Sequence, residues 1–150
     1  MEEIFFFKEG KADYPSFFSD DKIRNWLKVI AAHYQKILGA INFIFCDDEY
    51  ILSVNRQYLS HDYYTDVITF DYCSKEVLSG DVFISLDTVK SNSEEYGVSF
   101  EEEFHRIICH SVLHLIGFKD KTDLDGIQMR KNENICLDLL KMLSNGESFT

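Results

Sequence analysis

Proline occurs once in this 150-residue chain and glycine seven times. That leaves no material for a flexible linker, and with no internal repeat or low-complexity run the chain reads as one domain, residues 1–150. Cys46, Cys73, Cys109 and Cys136 are widely spaced and form no C-x-x-C pair. This spacing removes a disulfide framework and a cysteine zinc site, and buried reduced thiols are their expected state. Positive charge is also scarce: 15 Lys and Arg stand against 26 Asp and Glu, for a net charge of −11. So acidic a surface does not hold nucleic acid or anionic membrane non-specifically. An anionic substrate would need a local positive site, which a bound divalent metal supplies. No apolar run approaches the roughly 20 residues of a membrane-spanning helix. The start, Met1 to Lys8, lacks the basic region and long apolar core of a signal peptide, so the cytoplasm is the expected compartment.

What is present is apolar bulk, 45% of residues with 15% aromatic, enough to build a core rather than a disordered chain. Ile4 to Phe7 reads as a short strand. Ser19 caps a helix whose apolar stripe runs from Ile23 through Trp26, Leu27, Ile30 and Tyr34 to Ile37 and Leu38, with Gly39 as its stop. Ile41 to Cys46 has the continuous apolar character of a central strand. A second helix follows from Asp47, and then Asp66 to Tyr72 and Gly80 to Leu86 form an antiparallel pair around a turn at Ser74-Lys75-Glu76. Leu86 to Tyr96 is a further helix, ended by Gly97. Ser99 to Leu115 carries the strongest helix signature, with Glu102 completing a capping-box pattern, and a last helix runs from about Asp123 to Leu143. About four strands and five helices predict an α+β fold, helices layered on a mixed sheet, with a metal site at the end of a central helix.

That site is the pattern H-x-x-x-H-x-x-G-x-x-D, from His110 and His114 to Gly117 and Asp120. On a helix, positions i and i+4 share a face about one turn apart. A glycine after the second histidine lets the chain reverse through positive φ and return a carboxylate to the same point. A lone histidine is more often a packed or surface residue; a pair at this spacing with a carboxylate predicts a metal site like those of helical zinc enzymes. Three protein ligands, His110, His114 and Asp120, would leave a position for water, the arrangement of catalytic zinc, one Zn2+ per chain. Asp123 and Asp125 are alternatives to Asp120. Metzincin proteases share the spacing but place a glutamate general base beside the first histidine; Ser111 stands there instead, which removes that mechanism. His105 points about 140° away from His110 and is a poor ligand. Arg106 falls on the stripe of His110 and His114, where it can grip a phosphate bidentately; pairing with Glu102 or Glu103 is the bland alternative. Lys119 and Lys121 flank Asp120 and can add positive charge at the rim.

With these residues in place, His110 to Asp120 resembles the signature of the YbeY family of metal-dependent endoribonucleases, associated with ribosomal RNA maturation. Asn55-Arg56-Gln57-Tyr58 and Thr65-Asp66-Val67-Ile68-Thr69-Phe70 are similar to that family's N-R-x-Y-R and T-D-V-L-S-F blocks, Gly80-Asp81-Val82 to its G-D-I strand, and Met129 with Glu133 to its M-x-x-x-E. The resemblance implies hydrolysis of a single-stranded ribosomal RNA precursor, and as partners small-subunit ribosomal proteins and an assembly GTPase. The chain departs from it at Asp120, where a third histidine is usual, at Leu59, where an arginine is usual, at His61 for a lysine and at Ser111 for a glycine. Zinc held by two neutral His and one Asp keeps a net charge of about +1. Arg56, Arg106 and His61 are the candidates to contact phosphate in place of the missing arginine. His114 and Arg106 are the candidate catalytic residues, and Arg56, His61, Arg106 and Lys119 the candidate substrate-binding ones. The competing class is a ribosome-assembly factor whose acidic surface attracts basic proteins and whose zinc is structural.

Overall fold

A computed structural model describes residues 3–146; Met1 and Glu2 of the N-terminal segment, and the last four residues, lie outside it. The elements in order are β1 (Glu3–Lys8), α1 (Asp20–His33), β2 (Ile37–Cys46), α2 (Asp48–Leu59), β3 (Val67–Asp71), β4 (Val77–Ser85), α3 (Leu86–Tyr96), α4 (Phe100–Ile116) and α5 (Asp123–Ser144). The four strands form one sheet in the order β1-β2-β4-β3. β1 and β4 run parallel to β2 on either side of it, and β3 pairs antiparallel with β4. The sheet is therefore mixed, β2 is internal as its apolar run predicts, and the β3–β4 pair is the expected hairpin. The fold is a single-domain α+β fold of five helices on this sheet.

The structure corrects the end of α1, and it starts the last strand at Val77 rather than Gly80. Ile37 and Leu38 continue the apolar stripe of α1, yet they belong to β2, where they pair with Val77 and Leu78. The helix stops earlier because Gln35 takes a left-handed φ of 58°, and the Lys36 amide folds back to the Ala31 carbonyl at 2.8 Å. Gly39 is thus a strand residue. It sits where the β2–β4 register shifts, and a side chain there would lie 2.7 Å from Val77 Cγ1 and 2.8 Å from the Leu78 carbonyl. Such close backbone approach is a common use of strand glycine.

The main core joins Ile41, Phe43, Phe45, Val82 and Ile84 of the sheet to Trp26, Leu27 and Ile30 of α1 and to Phe104, Ile108 and Val112 of α4. A smaller cluster of Cys46, Ile51, Val54 and Ile68 seats α2. Buried apolar surface of this kind contributes about 25 cal/mol per Å2, so α4, walled by apolar side chains along most of its length, is held rigidly. Trp26 Nε1 donates to the Cys136 carbonyl at 2.8 Å, tying α1 to α5 across the helical layer. All four cysteines are free thiols. Among the described residues no helix is long and apolar enough to cross a membrane.

Candidate metal centre

Helix α4 begins at Ser99, whose hydroxyl accepts from the Glu102 amide at 3.0 Å, with Glu101, Glu102 and Glu103 complementing the helix dipole. It ends at Gly117, φ 125°, a conformation that disfavours any side chain whatever the space around it. The Phe118 amide then bonds back to the Leu113 carbonyl at 3.0 Å, closing the turn and returning Asp120 over the last turn of α4. Thr122 and Asp125 form a reciprocal capping box that starts α5, so Asp125 is committed to the helix end.

The turn brings His110, His114 and Asp120 together as a potential metal-holding group. The two Nε2 atoms lie 3.0 Å apart, and Asp120 Oδ2 is 3.2 Å from His114 Nε2 and 3.5 Å from His110 Nε2. The tautomers follow from what faces the other nitrogens. His110 Nδ1 meets Glu133 Oε2 at 2.7 Å and His114 Nδ1 meets the Phe118 carbonyl at 3.0 Å. Both partners accept only, so each Nδ1 carries a proton, and in its neutral form each ring turns an Nε2 lone pair inward. Two lone pairs and a carboxylate oxygen then converge within one small space. A divalent cation removes that repulsion, and the N, N, O donor set with fixed rings is one such cations take.

Glu133 comes from α5 and is a residue that spacing along α4 does not reveal. Its other oxygen accepts from Arg106 Nη1 at 2.9 Å, and its side chain is 8% exposed. Burial pushes this carboxyl up, but hydrogen bonds from His110 and Arg106 outweigh burial and hold it below the ordinary carboxylate range. Burial lowers the pKa of His110, and the bond to Glu133 more than reverses it. The triad opens into a groove of about 700 Å3 walled by Thr65, Asp66, Val67, Thr69 and Asp71 at and before β3. Burial raises the Asp66 carboxyl above its usual range, partly offset by His110.

The other candidate residues have these surroundings. Arg106 is engaged by Glu133 rather than by Glu102 or Glu103. Arg56 pairs with Asp62, and His61 stacks on Tyr63 with its Nδ1 bonded to the tyrosine hydroxyl at 2.9 Å. Lys119 is exposed, whereas Lys121 lines the groove. Leu59, half exposed, ends α2.

The family model described as Endoribonuclease YbeY matches residues 7–141. The chain belongs to the YbeY family. Proteins named Endoribonuclease YbeY from Bacteroides thetaiotaomicron and Bacteroides fragilis are 55% and 56% identical to it, over 75% and 77% of this chain and 82% and 84% of theirs. The one from Porphyromonas gingivalis is 47% identical over 79% of each chain. Among solved structures, the solution structure of TM1509 from Thermotoga maritima aligns with TM-score 0.65 over 95% of this chain and 93% of that one, at 23% identity. At that identity the likeness speaks for the fold alone. YbeY membership supports an endoribonuclease role, and the convergent triad is a group able to hold a metal ion.

Proposed function

We propose that this protein is a zinc-dependent endoribonuclease that cuts single-stranded ribosomal RNA precursors in the cytoplasm. The observation that carries the reading is the convergence of His110 Nε2, His114 Nε2 and Asp120 Oδ2 in an open groove, in a chain of the YbeY family. Two imidazoles and one carboxylate suit zinc, and three protein donors in an open groove leave room for water or a phosphoryl oxygen. Zinc held by His110, His114 and Asp120 would supply Lewis-acid chemistry toward a phosphoryl oxygen or a water.

The chain's own residues do the rest. Glu133 fixes the His110 ring and tautomer, and Arg106 in turn holds Glu133, so both position a ligand rather than touch the reacting atoms. Asp66 is a carboxylate in the same groove that takes no part in the triad; its raised pKa suits it to accept the proton of the attacking water. Small-subunit ribosomal proteins and an assembly GTPase fit as partners, the net charge of −11 favouring basic protein surfaces. The free thiols are in keeping with a reducing compartment.

The test is cleavage of a defined single-stranded RNA by zinc-loaded protein, by chelator-treated protein and by Asp66→Asn. Full activity is expected only in the first. Asp66→Asn should lose about a hundredfold in kcat while keeping its zinc, the usual scale of a lost general base. A zinc protein that leaves RNA intact would instead favour the assembly-factor reading.

A further inference from the structure

The groove over the triad does not stop at Asp120. Asp120 and Lys121 also line a second depression of about 600 Å3, which continues along the first turns of α5 past Gly126 and Ile127 to Arg130. The two share Asp120 and Lys121 and lie end to end beside the metal ligands as one channel, and the basic side chains are unevenly placed along it. The β3 side carries the carboxylates of Asp66 and Asp71, and the α5 side carries one, Asp123, besides the ligand Asp120. The basic side chains of the lining, the histidine ligands aside, are Lys121 and Arg130, both on the α5 side.

Two other cations of the neighbourhood are engaged, Arg106 by Glu133 and Arg56 by Asp62, and Lys119 is exposed beside Asp120 without lining either depression. Arg130 reaches Glu133 only at 3.9 Å, with its side chain 61% exposed, a contact of the kind that contributes little. Between the two cations Ile127 stands 64% exposed, and a side chain on Gly126 would meet nothing within 4 Å, so the channel floor is open there. A polyanion approaching this acidic chain is repelled along β3. Within the lining, its attraction comes from Lys121 and Arg130 and from the metal.

We propose that Lys121 and Arg130, with Ile127 between them, form the grip that holds the substrate: the two cations take phosphates of a single-stranded RNA to one side of the scissile bond, and Ile127 covers an unpaired base. This rests on the endoribonuclease reading. The arm supplies positive charge where Leu59 supplies none, and the Arg130 guanidinium can take a phosphate oxygen pair bidentately. Single-stranded RNA is the fitting occupant because its bases are free to lie against an apolar side chain.

The experiment is steady-state cleavage of a fluorogenic single-stranded RNA by zinc-loaded protein across a salt series. The double variant Lys121→Gln/Arg130→Gln should raise KM about tenfold with kcat within about twofold. The slope of log kcat/KM against log salt should flatten by about 1.4, or about 0.7 for each phosphate that the protein no longer neutralises. Zinc content and melting temperature should match wild type, and Arg130→Lys should recover part of the KM. A control that removes a cation away from the groove, Lys90→Gln on α3, should leave KM and slope unchanged. An unchanged KM and slope in the double variant overturn the proposal, as does an equal effect from Lys90→Gln. If wild type itself cleaves no RNA, the endoribonuclease reading has failed first and this proposal falls with it.

Discussion

Helix α4 puts its histidines to opposite uses. His105, near its start, lies edge-on to Trp26 and Phe104, with ring centroids at 5.7 and 5.5 Å. Burial drives its pKa down to about 4, with a smaller contribution from Lys22. His110, five residues on, is also penalised by burial, yet the Glu133 carboxylate on its Nδ1 turns the balance the other way. The two residues share a type, a helix and an apolar neighbourhood. What separates them is the group facing the ring: aromatic carbon makes a histidine a neutral packing residue, and a buried carboxylate makes it an oriented donor. His114 follows the second pattern with a backbone carbonyl in the carboxylate's place. The role of a histidine here is decided by the partner of its second nitrogen.

The sharpest way to break this contrast is to remove one histidine from each end. His114→Ala takes away a ligand, and both zinc uptake and RNA cleavage should fall by at least about a thousandfold, beyond the ten- to hundredfold typical of residues that only orient ligands. His105→Phe should leave one zinc per chain by elemental analysis. Loss of zinc in His105→Phe would show that the two ends of α4 are not independent.

The same pair separates by pH. The folded pKa of His105, about 4, lies below the ordinary value near 6.5. The unfolded chain therefore binds the proton first, and stability falls as pH drops from about 6.5 to about 4. Complete loss of this contribution amounts to about 3 kcal/mol. Denaturant melts of the chelator-treated protein across that window should show the decline, and His105→Phe should flatten it. A decline of the same size in the variant would assign it to other groups.

How much of this is legible in the residues depends on distance along the chain. The His110–His114 pair, the Gly117 turn and the Ser99 cap are helix arithmetic within a few residues, and the structure has them as expected. The end of α1 is not legible because Ile37 and Leu38 satisfy helical and strand patterns equally, and the left-handed turn at Gln35 falls on a residue with no preference for it. Glu133 reaches His110 from another helix, 23 positions away, which no local periodicity encodes. Its only signal is the spacing from Met129 in the resemblance to YbeY. Asp66 reads as the head of a half-buried strand. That it faces the metal groove follows from β3 lying at the edge of the sheet beside α4, a fact of topology.

The subtlest effect concerns the pair that gives His110 its orientation. Glu133→Gln keeps the shape of the side chain but removes the charge shared by His110 and Arg106. Zinc affinity should drop by about ten- to hundredfold, as for other residues that orient a histidine ligand. Arg106→Gln leaves Glu133 bonded to His110, and its effect on affinity should stay below about tenfold. A competition titration with a chromogenic chelator measures both. The order matters more than the sizes. If Arg106→Gln lowers kcat severely while zinc affinity holds at the wild-type value, Arg106 meets the RNA rather than Glu133 during turnover. In that case the orienting role belongs to Glu133 alone, and the contrast between the two ends of α4 narrows to a single carboxylate.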